Sequence, residues 1–227
     1  MPEEKNIIAE RKKKRLEFIP DVEISTRKYN LVIGLVIAWG FFVNYATVTF
    51  LGTPEFIYNA PVIGIVLGYI VCSIVGIIMS AKSPNPVISF IGYNLVVIPI
   101  GIMLCLVLPM IPAEIIGKAF CMTALITVGM LAISMAFPNT FLGMGRTLFF
   151  SLLIGIIVEI IAMLLGYRGE LFDIIFVGIF SLYIGYDWVK AQAYPKTVDN
   201  AVDSALDLYL DVVNLFIRLL SIMSRRN

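Results

Sequence analysis

Residues 86–108 read PVISFIGYNLVVIPIGIMLCLVL and contain no charged side chain. The run is longer than the roughly 18 apolar residues that mark a membrane-spanning helix. Because lipid cannot satisfy backbone polar groups, long uncharged runs of this kind predict helices. Comparable runs recur along the chain, and the predicted spans are 29–51, 60–81, 86–108, 117–137, 146–166, 171–192 and 200–223. The sequence therefore predicts an all-α polytopic membrane protein with about seven transmembrane helices.

The overall composition supports a single membrane domain. Hydrophobic residues make up 59% of the chain and charged residues 15%, whereas soluble domains contain about 25% charged residues. The connections between the apolar runs are short, so no separate soluble enzyme domain is expected. We divide the chain into a basic cytoplasmic segment (1–28), a seven-helix transmembrane domain (29–223) and a short basic tail (224–227).

The basic residues are concentrated before the first span. Residues 1–28 hold eight of the 17 Lys and Arg residues, including the run from Arg11 to Arg15. Such a run can attract nucleic acid or anionic lipid, but ahead of a span it most simply fixes the N-terminus in the cytoplasm. We expect the lipid bilayer as a partner and no nucleic acid. The compact loops favour a bacterial plasma membrane, whereas membrane-protein partners and the oligomeric state stay open.

The chain contains no histidine. This excludes Ser-His-Asp and Cys-His catalysis and histidine-ligated zinc, and it leaves carboxylates to respond to pH near neutrality. We expect no enzyme activity and no tightly bound cofactor. An intramembrane aspartyl protease stays a minor alternative, because such enzymes place their second aspartate in Gly-x-Gly-Asp and this chain has Leu208-Tyr209-Leu210-Asp211.

Asp187 and Asp211 lie inside the last two apolar segments. An ionisable side chain at membrane depth is costly and points to a functional site. Two carboxylates in contact share a proton, and their deprotonation would repel the helices and free oxygen ligands for a hard cation such as Ca²⁺. We predict that this pair is a pH sensor and gate that binds Ca²⁺ transiently. A symmetric hairpin about Pro195 would instead place Asp187 opposite Asp203, so the identity of the pair stays open.

The last segment carries an aspartate at every fourth position, from Asp199 to Asp211. In a helix these side chains follow one broad face, so we expect the segment to lie inside the bundle along an aqueous opening. Acids are also favoured in a solvated first turn by the helix dipole, and this is the simpler interpretation of Asp199 and Asp203. Further candidates for an ion path are Asp203, Asp207, Glu159 and Asn214. If this segment crosses fully, Arg225 and Arg226 end outside; a re-entrant segment is the alternative.

The last segment reads Ala205-Leu206-x-Leu208-Tyr209-Leu210-Asp211-x-x-Asn214-Leu215-Phe216, and Gly185-x-Asp187 precedes it. In these two segments the chain resembles the Bax inhibitor motif family, also called TMBIM or LifeGuard. Asn85-Pro86 and Gly143-x-Gly145 also fit that family.

The resemblance implies a seven-helix fold with the last helix at its centre. It also implies a pH-dependent calcium leak controlled by an aspartate pair, which maps to Asp187 and Asp211. Two departures stand out. Trp188-Val189 replaces the Thr-Gln that often follows the first aspartate, and the second span has no basic residue before Lys82. The alternatives are a non-conducting membrane regulator and a proton-coupled transporter.

Overall fold

The computed structural model describes residues 23–52, 62–167 and 169–226, and this part of the chain is helical without strands. The long helix α1 is extended by a π-helical turn at Thr47–Leu51, and α3 by a 3₁₀ turn at Leu108–Met110. The prediction of an all-α membrane protein is confirmed. The helices are α1 (Thr26–Ala46), α2 (Val62–Lys82), α3 (Pro86–Val107), α4 (Ala113–Ala136), α5 (Pro138–Gly143), α6 (Gly145–Leu164), α7 (Glu170–Ala193) and α8 (Val198–Arg225).

Six of the described helices, α1 to α4, α6 and α7, are long and apolar enough to cross a membrane. The seventh predicted span, 200–223, forms the helix α8, but its four aspartates and Arg218 make it more polar than the others. This helix is also the most enclosed one. Among its residues only Ile217 and Arg225 are exposed, whereas α6 exposes apolar side chains along most of its length. The expected inward position of the last helix is confirmed.

Local capping explains where two helices begin. The Ser25 hydroxyl accepts a hydrogen bond from the Lys28 backbone N–H at 3.4 Å, which starts α1 at Thr26. The Asn85 side chain accepts from the Val87 N–H at 2.9 Å, and Pro86 takes the first helical position, where its missing N–H costs nothing. Most of the predicted basic segment, residues 1–22, lies outside the described residues.

The chain divides into two compact units, and the first comprises residues 1–110 and 194–206. Within it α2 and α3 approach closely, because Gly76 and Gly92 face each other: a Cβ on Gly92 would come within 2.5 Å of the Gly76 carbonyl oxygen. Tyr93 on α3 donates to the Val36 carbonyl of α1 at 2.8 Å. The beginning of α8 joins this unit through Ser204, whose hydroxyl lies 3.0 Å from the Tyr29 hydroxyl.

The second unit comprises residues 111–193 and 207–227. Helix α7 packs against α4, α5 and α6. Two glycines permit the contacts: Gly185 on α7 receives the ring of Phe141 from α5, and Gly145 on α6 receives the ring of Tyr186. The short α5 lies between two predicted spans, 117–137 and 146–166, and was not predicted. Proline fits the first turn of a helix well.

Candidate functional site

Asp187 lies near the end of α7 and is buried. Its Oδ1 accepts from the Lys190 ammonium, one turn further along the same helix, at 2.5 Å. Lys190 Nζ also lies 3.4 Å from Asp207 Oδ2 on α8. The lysine thus bridges two carboxylates on different helices, and its ammonium lies 5.3 Å from the centre of the Tyr186 ring.

Asp211 lies one turn beyond Asp207 on α8, and the structure brings its carboxyl group into direct interaction with that of Asp187. Asp211 is buried, and its Oδ2 has no hydrogen-bond partner among the described residues. Among the described residues this neighbourhood holds three carboxyl groups, on Asp187, Asp207 and Asp211, and one ammonium, on Lys190. Ionisation of the buried Asp211 carboxyl group beside Asp187 is therefore costly.

The offset between α7 and α8 explains why Asp187 meets Asp211. A symmetric hairpin about Pro195 would have placed it opposite Asp203, but α8 residues up to Leu206 belong to the first unit and only those from Asp207 onwards belong to the second. At the other end of α7, Arg225 Nη2 lies 3.1 Å from Asp173 Oδ2, and Arg226 pairs with Glu170. The two helices are therefore antiparallel over this length, and α8 is one continuous helix from Val198 to Arg225.

Glu159 belongs to a second ionic network within the same unit. Arg218 on α8 binds it with both terminal nitrogens, at 2.5 Å and 2.8 Å. Arg218 also donates to Asp173 on α7 at 2.9 Å. The other oxygen of Asp173 accepts from the Ser221 hydroxyl at 2.8 Å. Every carboxylate in this network has a cationic partner, and the guanidinium also stacks 4.2 Å from the centre of the Phe176 ring.

Asp199 and Asp203 are buried inside the first unit, so the interpretation of these residues as a solvated first turn is wrong. Asp199 Oδ1 accepts from the Ser89 hydroxyl at 2.6 Å. Asp203 is completely buried and accepts a hydrogen bond from Ser80. The first turns of α8 pack among α1, α2 and α3, and side-chain hydroxyl groups take the place of water.

Asn214, the remaining candidate for an ion path, bonds its own helix. Its side-chain nitrogen donates to the Leu210 carbonyl at 2.7 Å. It lies one turn from Asp211 but contributes its amide to the backbone rather than to the carboxyl cluster.

No set of three or more His, Cys, Asp or Glu side chains is arranged to hold a metal ion in the described ranges. Calcium takes six to eight oxygen ligands. Two carboxylates supply at most four oxygens, so Asp187 and Asp211 alone do not complete such a shell.

The cationic partners of these acids, Lys190 and Arg218, were not predicted from the sequence, and neither was Asp173. One signal was available: Arg218 follows Asp211 by seven residues, which places both near one face of a helix. A cation at that depth needs an anionic partner.

The family whose model matches this chain is described as "Inhibitor of apoptosis-promoting Bax1", and the match covers residues 23–227. Two curated proteins from Helicobacter pylori, strains ATCC 700392 / 26695 and J99 / ATCC 700824, are 31% and 30% identical to this chain over 112 residues. Each is described only as an uncharacterized protein. The matched region is 48% of this chain and 47% of each relative, so the chain spans about half the length of the curated relatives it matches.

Proposed function

Since the chain belongs to the Bax inhibitor motif family, we propose that it is a pH-sensitive calcium leak channel gated by the Asp187–Asp211 pair. The observation that carries the proposal is the buried Asp211 carboxyl group, which interacts with Asp187 and has one oxygen without a hydrogen-bond partner among the described residues. A protonated Asp211 is neutral and tolerates this position. Its deprotonation adds a second negative charge beside Asp187, where Lys190 is the cation that the structure describes.

The repulsion that follows deprotonation is the proposed driving force for opening. Carboxylates that lose a shared proton favour separation of their helices or the entry of a cation. Calcium prefers oxygen ligands, and Asp187, Asp207 and Asp211 offer only oxygens. In this proposal Ca²⁺ and protons are the ions handled, no cofactor is bound tightly, and the aspartates perform no bond cleavage.

The membrane setting of the proposal follows from the basic residues. Lys82, Arg146 and Lys190 lie near helix ends. From the helix order we infer that these ends share one side of the bilayer, and an excess of Lys and Arg is typical of the cytoplasmic side. The N-terminus then lies in the cytoplasm. We place the protein in the plasma membrane of a bacterium.

The direct test is Ca²⁺ flux into liposomes containing purified protein, measured from about pH 5 to about pH 8. We expect the wild-type flux to depend on pH, and Asp187→Asn and Asp211→Asn each to change both its size and its pH dependence. Glu114→Gln removes an exposed carboxylate that pairs only locally with Lys118, so it should behave like the wild type. Flux that is absent from folded wild-type protein, or unchanged in both aspartate variants, contradicts the proposal.

A non-conducting membrane regulator is the second candidate. The observation in its favour is the Glu159–Asp173–Arg218 network, in which each acid has a cationic partner, as in a structural ion pair. Folded protein that carries no ion in the liposome experiment would favour this candidate.

A further inference from the structure

Lys190 connects α7 to α8 through its ammonium group. It lies in the last turn of α7, and its Nζ is 2.5 Å from Asp187 Oδ1 and 3.4 Å from Asp207 Oδ2. An ordinary surface pair at this spacing joins two solvated side chains on one helix. Here the second carboxylate belongs to another helix, and the side chains of Asp187 and Asp207 are only 9% and 12% exposed.

The Lys190 ammonium occupies a position that would also suit a bound cation. It lies between two carboxylate oxygens and beside the Tyr186 ring, and Asp211 interacts with the same Asp187 carboxyl group. A cation that binds Asp187 Oδ1 and Asp207 Oδ2 would compete with Lys190 for the same two oxygens and be repelled by its charge.

We propose that Lys190 is a tethered cation that occupies the ion position between Asp187 and Asp207 and blocks it until its side chain moves away. The inference rests on the proposed calcium leak and adds to it a residue that competes with the permeant ion. No helix movement is needed for release. Lysine carries its charge on a flexible four-carbon stem, and the 25% exposure of this side chain leaves it a route to solvent.

The groups that face this position come from two helices. Helix α7 contributes Asp187, Tyr186 and Tyr183, and Tyr183 is coupled electrostatically to Asp211 and Lys190. Helix α8 contributes Asp207 and Asp211. The cation on the next turns of α8, Arg218, is held by Glu159 and Asp173. Within the described part of the second unit, Lys190 is thus the cation that contacts the carboxyl groups of this cluster.

Binding of Tb³⁺ tests the inference without any need for conduction. Tb³⁺ prefers oxygen ligands as Ca²⁺ does, and excitation of nearby Tyr186 sensitises its luminescence. We expect Lys190→Met to bind Tb³⁺ about tenfold more tightly than the wild type, since it loses the competing charge. Lys190→Arg keeps the charge and should stay near the wild type. Lys118→Met, which removes an exposed lysine bound to Glu114, is the matched control and should not change binding.

Ca²⁺ flux of the same variants separates this inference from the proposed function. At a pH where the wild-type leak is low, Lys190→Met should leak several-fold faster, and Lys190→Arg should not. Tighter Tb³⁺ binding with no flux in any variant supports the tethered cation and contradicts the channel. A pH-dependent leak with Tb³⁺ binding and flux unchanged by Lys190→Met supports the channel and overturns the tethered cation.

A second neutral variant, Lys190→Gln, tests whether the result for Lys190→Met comes from misfolding. Lys190→Gln keeps a polar side chain that can donate to Asp187, and it should show the same tighter Tb³⁺ binding as Lys190→Met. If folded Lys190→Gln binds Tb³⁺ as weakly as the wild type, charge competition is not the cause and the inference fails.

Discussion

Two ionic clusters lie along α8 within the second unit, and they differ in how completely their charges are paired. In the first, Lys190 contacts Asp187 and Asp207, Asp211 interacts with Asp187, and one Asp211 oxygen has no hydrogen-bond partner within the described residues. The second lies about two turns further along, roughly 10 Å at 1.5 Å per residue. There Arg218 binds both acids, and Ser221 and Arg225 contact Asp173 as well.

The difference assigns distinct roles to the two clusters. A buried ion pair with good geometry resists the loss of either partner, because the remaining charge would be stranded. The Arg218 cluster is therefore an anchor that holds α6, α7 and α8 together. In the part of the chain that the structure describes, the Asp187 cluster has three acids and one base, and in the proposed function a proton or a cation changes this balance.

Removal of Arg218 should have the largest effect on stability. Arg218→Met removes the cation that binds Glu159 and leaves Asp173 with Arg225 as its described cation. The Glu159 and Asp173 side chains are 23% and 5% exposed, so the loss should cost about 3 kcal/mol. Unfolding of the purified protein in mild detergent measures the loss. Arg226→Met is the control, because Arg226 is 64% exposed and exposed pairs contribute about 1 kcal/mol or less. Equal losses in both variants would contradict the anchor.

Crowding of the helix that carries Asp187 should have an intermediate effect. In Gly185→Ala the added methyl group collides with the Phe141 ring, and overpacking typically costs about 1–3 kcal/mol. Gly178→Ala on the same helix meets nothing within 4 Å and should be neutral or slightly stabilising. If thermal unfolding ranks the two variants in the opposite order, the described contact between α5 and α7 is wrong.

The smallest change in stability is expected for Asp211→Asn, and Asp173→Asn is the matching variant in the other cluster. Asp211→Asn removes a carboxyl group with an unpartnered oxygen, so stability near neutral pH should change by less than about 1 kcal/mol. Asp173→Asn weakens contacts with Arg218, Ser221 and Arg225 and should destabilise clearly more. A larger loss for Asp211→Asn in the same unfolding assay would reverse the assignment of anchor and sensor.

The sequence predicted the positions of the helices well, but it did not predict which acidic and basic side chains pair between them. Apolar runs predicted the long helices to within a few residues, because the need to span lipid acts on each segment separately. Pairing depends on the offset between helices that are distant in the chain. Glu159 and Arg218 are 59 residues apart, and no local pattern fixes which acid meets which base. The resemblance suggested that Asp187 meets Asp211, whereas hairpin symmetry suggested Asp203.

The first turns of α8 show the same limit in another form. A solvated beginning was predicted for Asp199 and Asp203 because acids are favoured at helix N-termini. Both are buried, and the hydroxyl groups that bind them, on Ser89 and Ser80, lie more than a hundred residues earlier in the chain. Only tertiary packing brings such donors to a carboxylate.

The most direct test of the two roles is the pH profile of Ca²⁺ leak for wild type, Asp211→Asn and Ser221→Ala in identical liposomes. Ser221→Ala removes one hydrogen bond from the anchor and leaves its ion pairs in place. We predict a flat profile for Asp211→Asn and a wild-type profile for Ser221→Ala. A wild-type profile for Asp211→Asn, or a flat one for Ser221→Ala, would contradict the account.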